Sequence, residues 1–120
     1  MIFEIILVYI VAFEALAIML VELFASPEKI SKVFGLSLNY TKMPEAQIAM
    51  KNQGLYNGFL GAGLLISQGL VSQASLTWMF VTFVLIAAVF GWATTKNIKV
   101  LLVQGLPAAL CLLAMAVFGA

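Results

Sequence analysis

The chain has no histidine and a single cysteine, Cys111, among its 120 residues. Without histidine, haem ligation by that residue, histidine-based metal sites and imidazole general bases are excluded within this chain. With one cysteine there is no intramolecular disulfide and no CxxC redox pair. Cys111 stands in an apolar stretch and reads as an inert core residue. The six methionines are scattered rather than gathered into a copper-binding run, and read as core filling. No metal, no cofactor and no catalytic group is expected from this inventory. Charge is scarce as well, at 9% of residues against 64% hydrophobic. A soluble globular domain needs a polar shell that this composition cannot supply. A formal net charge of +1, with no basic stripe, points to no nucleic-acid partner. No internal repeat or low-complexity linker divides the chain, so residues 1–120 read as one transmembrane domain.

What the sequence does hold is four long apolar stretches, at about 5–24, 55–71, 76–93 and 98–118. Each approaches the roughly 20 helical residues that cross a hydrocarbon core at about 1.5 Å per residue. All six lysines fall between them: Lys29, Lys32, Lys42 and Lys51 between the first two, Lys96 and Lys99 between the last two. In a four-span chain those connections share a face, and the positive-inside rule makes it cytoplasmic. Both termini and the turn at 69–75 then face outward. The expected fold is an all-α integral membrane four-helix bundle with the lipid bilayer as its solvent. Residues 1–24 lack the basic start of a signal peptide and carry Glu4 and Glu14, so they read as a retained first helix.

Ser26-Pro27-Glu28 restarts a helix after the first span, with a capping serine and a first-turn proline, and Gly35 stops it. Ile30, Val33 and Phe34 recur at helical spacing with Lys29 and Lys32 between them. Such a segment is expected to lie in the membrane interface, apolar side down; the alternative is an ordinary solvated loop. Asn39-Tyr40-Thr41 matches a glycosylation sequon, to which the expected cytoplasmic side gives no meaning. Pro44 opens a helix that runs on into the second span, leaving Lys51, Asn52 and Gln53 at headgroup depth. Trp78 and Trp92 lie about 21 Å apart along the third span, where an aromatic belt would anchor it.

Within the second span Gly54, Gly58 and Ala62 form small-xxx-small steps that let helices approach closely. The stripe packs either inside one bundle or against a second copy. Glu14 lies roughly 15 Å from the cytoplasmic end of the first span, near the midplane. An ionised carboxylate there costs about 3 kcal/mol or more, and no lysine or arginine lies within a span to offset it. Glu14 is therefore expected to be neutral or held by neutral donors, and in both cases to face the bundle interior. Tyr56, Asn57 and Gln104 lie at depths of about 8 Å, within reach given tilt or a water. Pro107 cannot donate to Val103 and is expected to bend the fourth span beside them. A polar pocket open toward the cytoplasm follows from these residues. The competing reading is a hydrogen-bond network that only holds the helices together. Glu4, Glu22 and Glu28 fall at the interfaces and are expected to be solvated.

Asn52-Gln53-Gly54-Leu55-Tyr56-Asn57-Gly58-Phe59-Leu60, followed by Ala62-Gly63-Leu64, resembles the signature of a small bacterial membrane family catalogued as domain of unknown function 1304. Glu14, Lys32-Val33-Phe34-Gly35-Leu36 and Gln104-Gly105-Leu106-Pro107-Ala108 extend the resemblance over nearly the whole chain. It implies four spans in a bacterial cell membrane and no established activity. Where that family often carries a histidine two turns before the first-helix glutamate, Leu7 stands here, so no proton relay through such a histidine carries over. Small multidrug exporters share the size and one acid in the first helix, but none of their surrounding motifs is present; that likeness is one of fold alone.

Three functional classes stay open. One is a binding or transport protein for a small, partly apolar molecule, with Glu14 as a proton-linked acceptor and Tyr56, Asn57 and Gln104 orienting the ligand. The next is an accessory or structural subunit whose glycine stripe faces a membrane partner. The third is an enzyme, which would depend on Glu14 and Tyr56 converging on one point. One bundle leaves little room for a translocation path, so transport would call for a homodimer.

Overall fold

Long apolar runs, only the last of which holds a proline (Pro107), carry the chain into helices, and the short polar connections stop them. The computed structural model describes residues 2–119, and among these every regular element is helical. Helix α1 (Ile2–Phe24) gives way to α2 (Pro27–Phe34) through Ser26, whose side chain accepts from the Lys29 N–H at 3.2 Å. Gly35 closes α2 in the left-handed conformation at φ 68°, which glycine adopts without a Cβ penalty. Cap and stop are those expected from the sequence. A single turn, α3 (Leu38–Thr41), follows, and the Thr41 hydroxyl donates to the Pro27 carbonyl at 2.9 Å, folding α3 back on α2.

Helix α4 (Pro44–Leu65) continues into a π-helical turn over 66–70. After a short link come α5 (Ala74–Thr95) and α6 (Ile98–Val100), then a second π-helical turn over 101–105 and α7 (Leu106–Phe118). The second π-helical turn ends immediately before Leu106-Pro107, and its wider ring accommodates in a continuous helix the proline that cannot join the regular ladder. Helices cover all four apolar stretches. Three of them, Ile2–Phe24, Ala74–Thr95 and Ile98–Phe118, are long and apolar enough to cross a membrane by themselves. Helix α4 differs because its first half carries Glu45, Gln47, Lys51, Asn52 and Gln53.

Helix α1 lies along α4 and along α7, while α5 packs on α7 and on the 101–105 turn. Val8, Val11 and Ala12, Leu64, Val81 and Val84, and Ala108, Cys111 and Met115 form the buried core. Large apolar residues sit instead on the outer faces: Phe13, Phe59, Ile86, Phe90 and Leu113 are all exposed. Small inside and large outside inverts the pattern of a soluble bundle and suits a lipid surround, where close backbone approach replaces the hydrophobic effect. The molecule measures 46 × 26 × 17 Å, and its long axis matches the about 40–45 Å of a bilayer with its headgroups.

The sequence places the close-packed stripe at Gly54, Gly58 and Ala62; the structure uses Gly54, Gly58 and Gly61. A Cβ on Gly61 would lie 2.8 Å from Leu16 Cγ and 2.9 Å from the Ala12 carbonyl oxygen, whereas Ala62 is only half-buried. Successive steps of four residues drift about 40° each around a helix, so the third small position falls off the contact line; a step of seven drifts back by about 20°. All three glycines face α1 of the same chain.

Candidate functional site

Glu14, Asn57 and Gln104 do come together. With Val11, Leu60 and Val84 they line a small interior pocket of about 10 Å³, which is room for no more than one water. The π-helical turn over 101–105 carries Gln104 to this position. Tyr56 does not join them. It is 67% exposed and packs edge-on against Phe59, with ring centroids 6.2 Å apart. Neighbours on a helix are about 100° apart, so the turn that aims Asn57 inward aims Tyr56 out. Glu14 and Tyr56 therefore share no common point on which acid–base chemistry could operate. Asn52 is exposed at the end of the stripe.

The best-built polar group is one the sequence reading set aside. Glu22, expected to be solvated, is 1% exposed. Gln53 Nε2 donates to its Oε2 at 2.7 Å, and Asn57 Nδ2 donates to its Oε1 at 2.5 Å. Gln53 and Asn57 are one helical turn apart on α4, with Gly54 beside them, and a Cβ on Gly54 would lie 2.9 Å from Glu22 Cβ. The glycine lets α4 approach until both amides replace the water that the carboxyl group would otherwise hold. A sequence signal existed: two amide donors at i and i+4 flanking a glycine call for an acceptor at the same depth on the facing helix. Glu4, also expected to be solvated, is buried too, whereas Glu28 stays exposed opposite Lys42 at 4.0 Å.

Beside Glu22 opens a cavity of about 140 Å³. The end of α1, the folded-back α2 and α3 and the start of α4 enclose it, with Glu22, Ile30, Tyr40, Ala46, Met50 and Lys51 in its wall. Asn57 touches Glu22 and also lines the pocket of Glu14, so the two acids share one polar neighbour. The Asn97 side-chain amide donates to the Phe34 carbonyl at 2.9 Å and closes against Gly35, which holds the two lysine-bearing connections side by side. Far along α4, the Thr77 hydroxyl donates to the Ser67 hydroxyl at 3.1 Å, and Ser67 donates to the Leu64 carbonyl. That buried pair satisfies the π-helical turn and has no opening beside it among the cavities described. Cys111 is fully buried near the Met115 sulfur.

Comparison with known proteins supplies kinship without chemistry. Residues 9–116 match the family described as "Protein of unknown function (DUF1304)". The uncharacterized protein YpaA of Lactococcus lactis subsp. lactis (strain IL1403) is 35% identical over 114 residues, which is 93% of this chain and 95% of that protein. No solved structure matches. With the family match spanning almost the whole chain, this protein belongs to the DUF1304 family of proteins of unknown function.

Proposed function

We propose that this is a four-span protein of the bacterial cell membrane that binds a small, partly apolar molecule in the cavity beside Glu22. The fourth span is the apolar part of α4 continued through the 66–70 turn, roughly 24 Å of helix. Apolar outer faces support the membrane reading. The lysine distribution supports cytoplasmic connections and outward termini, with α2 lying in the interface. The observation that carries the binding reading is a buried carboxylate, held by two neutral amides, in the wall of a cavity of about 140 Å³. Glu14, Asn57 and Gln104 line a separate pocket one water wide, linked to Glu22 only through the Asn57 side chain. A ligand of any size stops at Glu22, so this chain alone binds rather than translocates; transport would call for a second copy.

The test is the thermal stability of the purified protein with indole or p-cresol, compared with Ala46→Leu, which fills the cavity from its wall. Saturable stabilisation of the wild type, absent in the variant, is the expected result. No stabilisation of either sinks the binding reading. It would leave the second reading, an accessory or structural subunit, which the nearly filled pocket at Glu14 favours.

A further inference from the structure

Among the described residues, the Glu22 carboxyl group has no cation paired with it. Both hydrogen-bond partners of Glu22 are uncharged amides, and among the described residues no lysine pairs with it. A buried carboxylate is expensive without a cation, and this one lines an open space. The other charged group in that wall is Lys51, an exposed cation. The wall thus presents an acid at its buried end and an ammonium at its mouth. A purely cationic ligand would meet Lys51, and a purely anionic one would meet Glu22. A zwitterion satisfies both.

Two further features narrow the class. Glu22 recognises by accepting hydrogen bonds, which a primary ammonium donates and a trimethylammonium cannot. Quaternary ammonium groups are held in cages of aromatic rings, and the wall offers Tyr40 and Phe24, the latter 77% exposed. Glu22 is also two residues from the end of α1, roughly 3 Å along the axis, which is headgroup depth in the proposed arrangement. Glu22 is 1% exposed, so an incoming donor reaches Oε2 only as the exposed Gln53 amide gives way. Resting on the binding reading above, we infer that the cavity takes a primary ammonium joined by a short linker to a phosphate, with the ammonium on Glu22 and the phosphate on Lys51. Free phosphoethanolamine and the headgroup of phosphatidylethanolamine share that chemistry.

The experiment uses the full chain in nanodiscs. Phosphoethanolamine and ethanolamine are titrated in discs of phosphatidylcholine alone, following thermal stability. In parallel, retained lipid is identified by native mass spectrometry from discs that also contain phosphatidylethanolamine. The expected result is a preference of about tenfold or more for phosphoethanolamine over ethanolamine, for phosphatidylethanolamine over phosphatidylcholine, or both. Glu22→Gln should abolish binding, and Lys51→Gln should abolish the preference for the phosphate-bearing form. Ala46→Leu leaves the amide network untouched and should abolish binding too, so the result does not depend on Glu22→Gln folding well. Lys99→Gln, outside the wall, should change nothing. A response only to the lipid identifies the headgroup as the source; a response only to phosphoethanolamine identifies the free molecule. Equal retention of both lipids with no response to phosphoethanolamine overturns the inference, as does binding that survives Glu22→Gln. If indole stabilises the protein and neither zwitterion does, the binding reading stands and this inference fails; if none of them acts, both fail.

Discussion

Asn57 is the side chain on which the polar interior turns, because it holds Glu22 and also lines the pocket of Glu14. Removing a donor from a buried acceptor costs about 1–3 kcal/mol. Asn57→Leu should therefore destabilise the protein by about that amount in equilibrium unfolding. Gln53→Leu should cost less, since Gln53 is exposed and water can take its place; equal losses would mean that the two amides are equally enclosed. Tyr56→Phe should change stability by less than about 0.5 kcal/mol, as expected of an exposed ring. The sequence showed Asn57 and Gln104 as membrane-depth polar residues in need of a partner, and depth alone drew Glu14 to them. It could not separate Tyr56 from Asn57, because facing is set by the rotation of α4 on α1. Glu22 was legible only through its partners, the Gln53 and Asn57 amides, because its own depth near the end of α1 says nothing of the helices folded over it.

Between α1 and α4 the controlling feature is backbone proximity. At Gly58 an added Cβ meets the Met19 side chain, which is flexible. At Gly61 it meets the Ala12 carbonyl oxygen at 2.9 Å, which is backbone and cannot swing aside. Alanine gains about 1 kcal/mol of helix propensity over glycine, and overpacking costs about 1–3 kcal/mol. Gly58→Ala should accordingly be near neutral, whereas Gly61→Ala should destabilise, as read from denaturation of both variants in one detergent. Helix α5 makes a different prediction at its end. Lys96 closes it at φ 60°, a left-handed conformation that costs a residue with a Cβ about 1 kcal/mol or more, and it is exposed. Lys96→Gly should stabilise by roughly 1 kcal/mol in the same assay; a loss would show that the lysine side chain holds the turn. The helix boundaries at Ser26-Pro27 and Gly35 were legible because capping is a local event. The π-helical turn before Pro107 was not, since proline announces a break in the regular ladder without saying how it is accommodated.

The lysines and the apolar outer faces together predict how the chain sits in the membrane. The Asn97–Phe34 hydrogen bond places both lysine-bearing connections at one end, and the link around Ser72 joins the 66–70 turn to α5 elsewhere. Lys32→Cys should react with a membrane-impermeant maleimide only from the cytoplasmic side of oriented membranes, and Ser72→Cys only from the outer side. Cys111 is fully buried and should stay silent. Labelling of both engineered positions from the same side would exclude the four-span topology.

Composition and periodicity alone were enough to make this chain an all-helical one with membrane-length apolar segments, because the excess of hydrophobic side chains leaves no polar shell and the cap signals act within a few residues. Which small residues touch, which acid is enclosed and where the cavity opens depended on how α1 meets α4 and how α2 and α3 fold back over that seam. Those are contacts between segments distant in sequence. They are set by rotation and close approach of packed helices, quantities that no local pattern of residues encodes.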